Sequence, residues 1–329
     1  MLRSPLFAAI ALPLLATTPA HAAWMSGEEA IMGTSIAVQL WAEDGAKGDA
    51  AVRSVFDEMH RIDNLMSTWK DHTELSRINA TAAAGPVDIS DELCDLIARA
   101  LTFSEFTGGA FDVTYASVGQ LYDYRAGVRP DDSSRTEALK AVGHKLVDLD
   151  CDKGVIRYQR DGVKIDLGGI AKGYAVEGAV ATLREMGIEH AIVSAGGDSR
   201  ILGDRRGRPW TVGVRNPRAE RGAVVTRLPV VDEAVSTSGD YERFFEADGE
   251  RYHHILKPGT GKPAGEVISV TVIGPDAVTT DAMSTSVFVL GVTDGLALVE
   301  SRSDLETIII DARGKMHFSS GLGAPQTPQ

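Results

Sequence analysis

Cysteine is nearly missing from this 329-residue chain: Cys94 and Cys151 are the only two. That excludes a framework of several disulfides and a zinc site built on spaced cysteines. The two thiols lie far apart in sequence, and a bond between them does not follow from the sequence. Basic residues are also short, 33 against 46 acidic ones, for a formal net charge of −13. This argues against nucleic acid and against an anionic membrane surface as general partners. Phosphate chemistry stays open, because one local cation can act inside an acidic protein. Long linkers, low-complexity tracts and internal repeats are missing too. So are GxxxxGK[ST] and GxGxxG, the marks of a P-loop and a dinucleotide fold, and HExxH and GxSxG, the marks of two hydrolase classes.

The apolar run near the start, LFAAIALPLLA, is too short for a membrane span. It follows Arg3 and precedes Ala20-His21-Ala22, an A-x-A cleavage signal. No twin arginine precedes it, and no cysteine stands at the cleavage point. Residues 1–22 are therefore expected to be a cleaved secretory signal peptide. Residues 23–329 should form one large catalytic body or two intimate subdomains. The expected location is the periplasm, in soluble form, without stable membrane insertion.

What is present is a clear change of period along the chain. SIAVQLW at 35–41 alternates as a strand does. Val52, Val55, Met59, Ile62 and Met66 then recur at helical spacing, and that helix should end before STWKDH. A second helix should follow Ser90, its N-cap, with Leu93, Leu96, Ile97, Ala100 and Leu101 buried and Gly108-Gly109 as its stop. VIRYQR and VKIDL, joined by Asp161-Gly162, predict an antiparallel pair. A helix from about Lys172 to Met186 ends at Gly187. HAIVSAGGD, TVGVRN, VVTRLPV, RYHHILK and VISVTVIG read as strands, and TIIIDARGKMHF as a terminal hairpin. Hairpins mixed with helices predict an α+β fold, with mixed and antiparallel sheets packed against helices.

Four stretches carry possible chemistry. In IDLGGIAKGYAVEG a strand delivers two glycines to a helix start, followed by Lys172. Glycines permit close backbone approach, and helix amides with a lysine favour anionic oxygens. VSAGGD repeats the strand-to-glycine theme, and its Asp198 suits a turn cap, a sugar hydroxyl or solvent. VSTSGDYERFF reads as a turn around Gly239 rather than a serine nucleophile. In RYHHILK, His253 and His254 should point to opposite faces, so only one enters a given pocket. A neutral imidazole accepts a hydroxyl proton near neutral pH.

Together these stretches resemble the FAD:protein FMN transferase family, the ApbE flavin transferases. The matching pieces are MGTSIAVQLW, LMSTWKDHTELSRINA, GGAFDVT, VKIDLGGIAKGYAVEGA, IVSAGGD, STSGDYERFFEADGERYHHILKPGTGKPA, SVTV and TTDAMSTSVFVLG, spanning about residues 31–320. The resemblance implies a magnesium-dependent reaction. FAD is split at its pyrophosphate, FMN is joined to a Thr or Ser of an acceptor protein, and AMP leaves. It places Mg2+ on the carbonyl of Ala171, the carboxylate of Asp281 and Thr285. The last two share one helical face if the helix has begun by Asp281. It makes His254 the base, with Lys172 stabilising phosphoryl charge.

Trp69 takes the place of a platform for the isoalloxazine ring, against the alternative of a buried anchor. Met32 falls on the same flavin wall, and Asn79 on the pyrophosphate side or behind Trp69. Asp166, Gly168, Gly169, Gly197, Asp198, Ser238, Gly239 and Asp240 complete the implied pocket. Lys257, Gly259 and Val113 depart from the family's usual acid, arginine and proline, which bears on acceptor choice and loop geometry. The implied partner is an exported or membrane electron-transfer protein bearing a Thr/Ser flavinylation site. Two other functions fit the same residues: an FAD pyrophosphatase, and a non-enzymatic FAD-binding or delivery protein.

Overall fold

A computed structural model describes residues 22–220 and 222–323. The expected signal peptide, apart from its last residue, lies outside them. Eight strands form the central sheet, in the spatial order Ala23–Ile31, Thr34–Ala42, Ala191–Ala195, Asp198–Leu202, Ala234–Gly239, Val267–Gly274, Glu306–Asp311 and Met316–Phe318. Every ladder in it is antiparallel, so the α+β class stands and the pairing is narrower than mixed.

Three helices, Gly45–Met66, Ala171–Glu185 and Ala277–Glu300, pack against each other and onto the sheet. Alternation explains which side they take. Ile36, Val38 and Leu40 of the second strand enter one core with Val55, Met59 and Ile62 of the first helix. The hairpin of Trp210–Arg215 and Val224–Val230 supports a smaller core, with Ile201, Val235, Ile273 and Ile308 from the sheet. Val267–Gly274 is therefore buried along its whole length.

Ala277–Glu300 is long and apolar enough to cross a membrane by length and composition. Here it is the central core helix, with Ala282, Met283, Val287 and Phe288 at most 1% exposed. It is interrupted at Gly291, whose φ of 85° is non-helical. The Glu266 carboxylate accepts from the Val292 amide at 2.9 Å and so satisfies the restarted helix.

Three local expectations change. VKIDL is not the partner of VIRYQR; Val155–Tyr158 pairs instead with Val147–Asp150 and Val87–Asp88. Val163, Ile165 and Leu167 alternate because they are buried, while their segment runs extended outside any ladder. The VSTSG stretch is a strand, Ala234–Gly239, rather than a turn. Ser90 occupies the N-cap of Asp91–Phe106 without capping it, since its hydroxyl donates to Glu74 at 2.7 Å. Cys94 and Cys151 are joined by a disulfide.

Candidate active site

The start of the Ala171–Glu185 helix is pressed against the first two turns of Ala277–Glu300. Gly173 makes this possible. A Cβ there would stand 2.2 Å from the Ala277 carbonyl oxygen and 2.8 Å from the Asp281 Cβ. With no Cβ, the Gly173 amide donates to the Asp281 carboxylate at 2.9 Å. The final helix begins at Ala277, so Asp281 and Thr285 do lie one turn apart on a single face.

Asp281 is 2% exposed and Asp198 is 1% exposed. The Lys172 ammonium sits 2.5 Å from Asp198 and 3.4 Å from Asp281. Burial raises the pKa of Asp281, the Asp198 charge raises it further, and Lys172 opposes both. Burial lowers the pKa of Lys172, but the two carboxylates outweigh it and the net shift is upward. Asp198 is thus a buried ion-pair partner, not a turn cap or a solvated side chain.

Two buried carboxylates thus face one ammonium. The Asp198 Oδ1 atom is buried with no hydrogen-bond partner. An oxygen-rich, electronegative pocket of this kind fits a hard divalent cation. Among the described residues no group of three or more His, Cys, Asp or Glu could hold a metal. Hydroxyl and carbonyl oxygens would have to complete such a shell. The Ala171 carbonyl accepts an intrahelical bond in the first turn and keeps a second lone pair free for a metal. Gly169 lies just before the helix, with its carbonyl in no backbone bond among the described residues. A Cβ on Gly169 would be 3.4 Å from the Thr285 hydroxyl oxygen.

Glycine turns crowd the same region. Gly197 leaves no room for a side chain, since a Cβ would lie 2.4 Å from the Thr237 carbonyl oxygen. Gly239 is held against the Tyr241 ring in the same way, at 2.3 Å. The Ser238 hydroxyl is 2.8 Å from that of Ser284 and 3.3 Å from that of Thr285. Asp166 accepts from the Thr68 hydroxyl at 2.8 Å and from the Gly168 amide at 2.7 Å, fixing the glycine bend.

Two expected pocket residues are committed elsewhere. The Asn79 carboxamide donates to the Ile165 carbonyl at 2.7 Å and accepts from the Ile165 amide at 2.8 Å. It also accepts from the Tyr158 hydroxyl at 2.9 Å. Asn79 thus anchors the extended segment that delivers Asp166, rather than reaching a pyrophosphate or Trp69. Asp240 accepts both terminal nitrogens of Arg218, at 2.8 and 2.6 Å, and acts as a strut.

The two histidines part company as alternation requires. His253 is buried, 2.6 Å from the Ala264 carbonyl oxygen through Nε2, with its ring edge-on to Phe288. His254 is half-buried, and its Nδ1 lies 3.4 Å from the Arg243 carbonyl oxygen. A carbonyl only accepts, so Nδ1 carries the proton and Nε2 keeps a lone pair. Burial, then the charge of Arg243, holds the imidazole below its ordinary pKa, and it is neutral at pH 7.

Trp69 is 84% exposed, which excludes the buried-anchor alternative. Met32 and Gly33 form the two-residue turn between the first two strands, with φ of 56° and 72°. Glycine takes such a value freely and methionine does not, so Met32 holds an unfavourable backbone conformation. Met32, Gly33, Thr34, His60, Asp63 and Lys70 line a cleft of about 420 Å³. Gly173, Thr68 and Arg243 were not singled out from the sequence. Only Gly173 had a visible signal, as the third glycine of GGIAKG.

The family model described as ApbE family matches residues 32–309. An FAD:protein FMN transferase of Treponema pallidum is 33% identical, over 90% of this chain and 87% of its own length. One from Vibrio cholerae is 31% identical, covering 91% of each. The crystal structure of the ApbE protein of Thermotoga maritima superposes with a TM-score of 0.85 at 35% identity, over 91% of this chain and 98% of that one.

Proposed function

This chain belongs to the ApbE family, and we propose that it transfers FMN from FAD to a Thr or Ser hydroxyl of an acceptor protein. The acceptor oxygen attacks the FMN-side phosphorus and forms a phosphoester bond. The P–O bond to the AMP half breaks, and AMP leaves with the electron pair. His254 takes the hydroxyl proton on Nε2, its free nitrogen. Lys172, held by Asp198 and Asp281, keeps a fixed positive charge at the floor of the site. Trp69 offers its exposed ring to the isoalloxazine, with Met32 on the same flavin wall.

We read the Ala171 carbonyl, Asp281 and Thr285 as the groups that would hold Mg2+. Bound there, magnesium supplies charge neutralisation at the diphosphate. The observation that carries the reading is a neutral imidazole, His254, placed by the same fold that buries Lys172 between two carboxylates. Burial of these charges makes sense for a site that must offset phosphoryl charge, and is costly otherwise.

The acceptor we propose is an exported or membrane-bound electron-transfer protein facing the periplasm. The Cys94–Cys151 bond supports an oxidising compartment. The deciding experiment incubates residues 23–329 with FAD, magnesium and a threonine-containing acceptor, followed by intact mass. An acceptor heavier by one esterified FMN, with AMP released, is expected. AMP and free FMN without acceptor labelling would instead make it an FAD pyrophosphatase.

A further inference from the structure

Arg243 differs from the other cations around the site. Lys70 is paired with Asp63, Lys172 with Asp198 and Asp281, and Arg218 and Arg251 with Asp240. Arg243 has no ion-pair partner among the described residues, in a chain whose acidic residues outnumber its basic ones. Its position is bracketed from two sides. Its carbonyl accepts from the His254 amide at 3.2 Å, which ties its backbone to the base. Its guanidinium reaches the Met32–Gly33 turn, where Nη2 would lie 3.9 Å from a Cβ built on Gly33. Arg243 therefore spans from the base to the wall of the flavin cleft.

The charge balance gives this position a task. Lys172 is the cation expected to meet phosphoryl oxygens, yet two carboxylates already surround it. The charge of that one cation is shared with Asp198 and Asp281 before any dianionic diphosphate arrives. An exposed guanidinium at the rim, unpaired among the described residues, adds a positive charge there, and its planar fork suits two phosphate oxygens at once.

We propose that Arg243 grips the diphosphate of FAD, binding the substrate between the flavin ring and the reacting phosphorus. This rests on the transferase reading. The substrate chemistry it assigns is phosphate, so it separates FAD from riboflavin, which has the same ring and no phosphate.

The test is flavin binding, measured by flavin fluorescence with magnesium chloride present, on wild type, Arg243→Gln and Arg243→Lys. Circular dichroism of each confirms the fold. FAD affinity should fall tenfold or more in Arg243→Gln, riboflavin affinity should stay within twofold, and Arg243→Lys should recover part of the loss. In turnover, KM for FAD should rise more than kcat falls. Equal losses for both flavins would make Arg243 a packing residue and overturn the proposal. Unchanged FAD affinity would overturn it as well. A wild type that bound neither flavin would sink the transferase reading itself.

Discussion

Gly173 donates its amide to Asp281 across a gap in which no other side chain fits. The 2.9 Å hydrogen bond and the 2.2 Å separation that a Cβ would have from the Ala277 carbonyl are two results of one close approach. Backbone on backbone cannot rotate away. Gly173→Ala should therefore push the two helices apart, at a cost of roughly 1–3 kcal/mol. Denaturant titration should show a lower midpoint, and FMN transfer should fall more than stability explains. A variant with unchanged midpoint and rate would show that the helices part freely.

Asp281→Ala removes a charged oxygen ligand and Thr285→Ala a neutral one. The first should slow transfer by about 10²–10⁴-fold, or roughly 3–5 kcal/mol of barrier. The second should cost less. Magnesium titrations at saturating FAD give the comparison. An Asp281→Ala enzyme with wild-type rate and metal dependence would remove Asp281 from the metal shell.

Trp69→Ala should weaken FAD binding by roughly 1–3 kcal/mol through lost ring packing. An 84% exposed residue supports little of the core, so the melting temperature should barely move. Calorimetry on both proteins gives the affinities. Equal values would place the flavin elsewhere.

The histidines should fail in different ways. His254→Ala should keep FAD binding and lose most labelling of a threonine acceptor, while slow splitting by water persists. His253→Ala should lose stability rather than chemistry, because it removes a buried ring bonded to Ala264 and packed on Phe288. Since His254 is held below the ordinary imidazole pKa, transfer should not halve near pH 6.5, where a free imidazole would be half-protonated. It should fall only at lower pH. Acceptor mass spectra with parallel chromatography of AMP and FMN separate these outcomes. Wild-type labelling by His254→Ala would assign the proton to another group.

Cys94→Ser and Cys151→Ser should each lower stability by roughly 2–4 kcal/mol, the usual effect of opening a loop of this size. The separation is 57 residues. Urea unfolding with and without reductant provides the measurement. Equal midpoints in wild type with and without reductant would mean that the bond contributes nothing.

Much of this site can be read along the chain because its pieces are local. Asp281 and Thr285 are four residues apart, and helical spacing alone puts them together once the helix starts early enough. Lys172 and its glycines are likewise one continuous stretch. Residues whose partners are distant were harder. The role of Asn79 depends on Ile165, 86 positions away, and that of Asp240 on Arg218 across a loop. Alternating burial in VKIDL imitates a strand because Val163, Ile165 and Leu167 face the core. Ile165 bonds to the Asn79 side chain and the Asp166 amide donates to the Val113 carbonyl, instead of either joining a ladder. The disulfide required the fold itself.

Under the export of the unfolded chain that the proposed function implies, the final helix has a second consequence. Its 24 residues pass the length and composition test for a bilayer segment, so a secretion channel would meet a potential stop-transfer signal. Asp281 near one end, Asp294 farther along and the non-helical Gly291 between them interrupt that signal. Carboxylates within a nascent span disfavour its lateral entry into lipid, most strongly at its centre. Under that same proposal, the carboxylate that gives the site its charge also weighs against the core helix lodging in the bilayer. Replacing Asp281 with leucine should remove activity and also retain part of the chain in the membrane fraction during secretion.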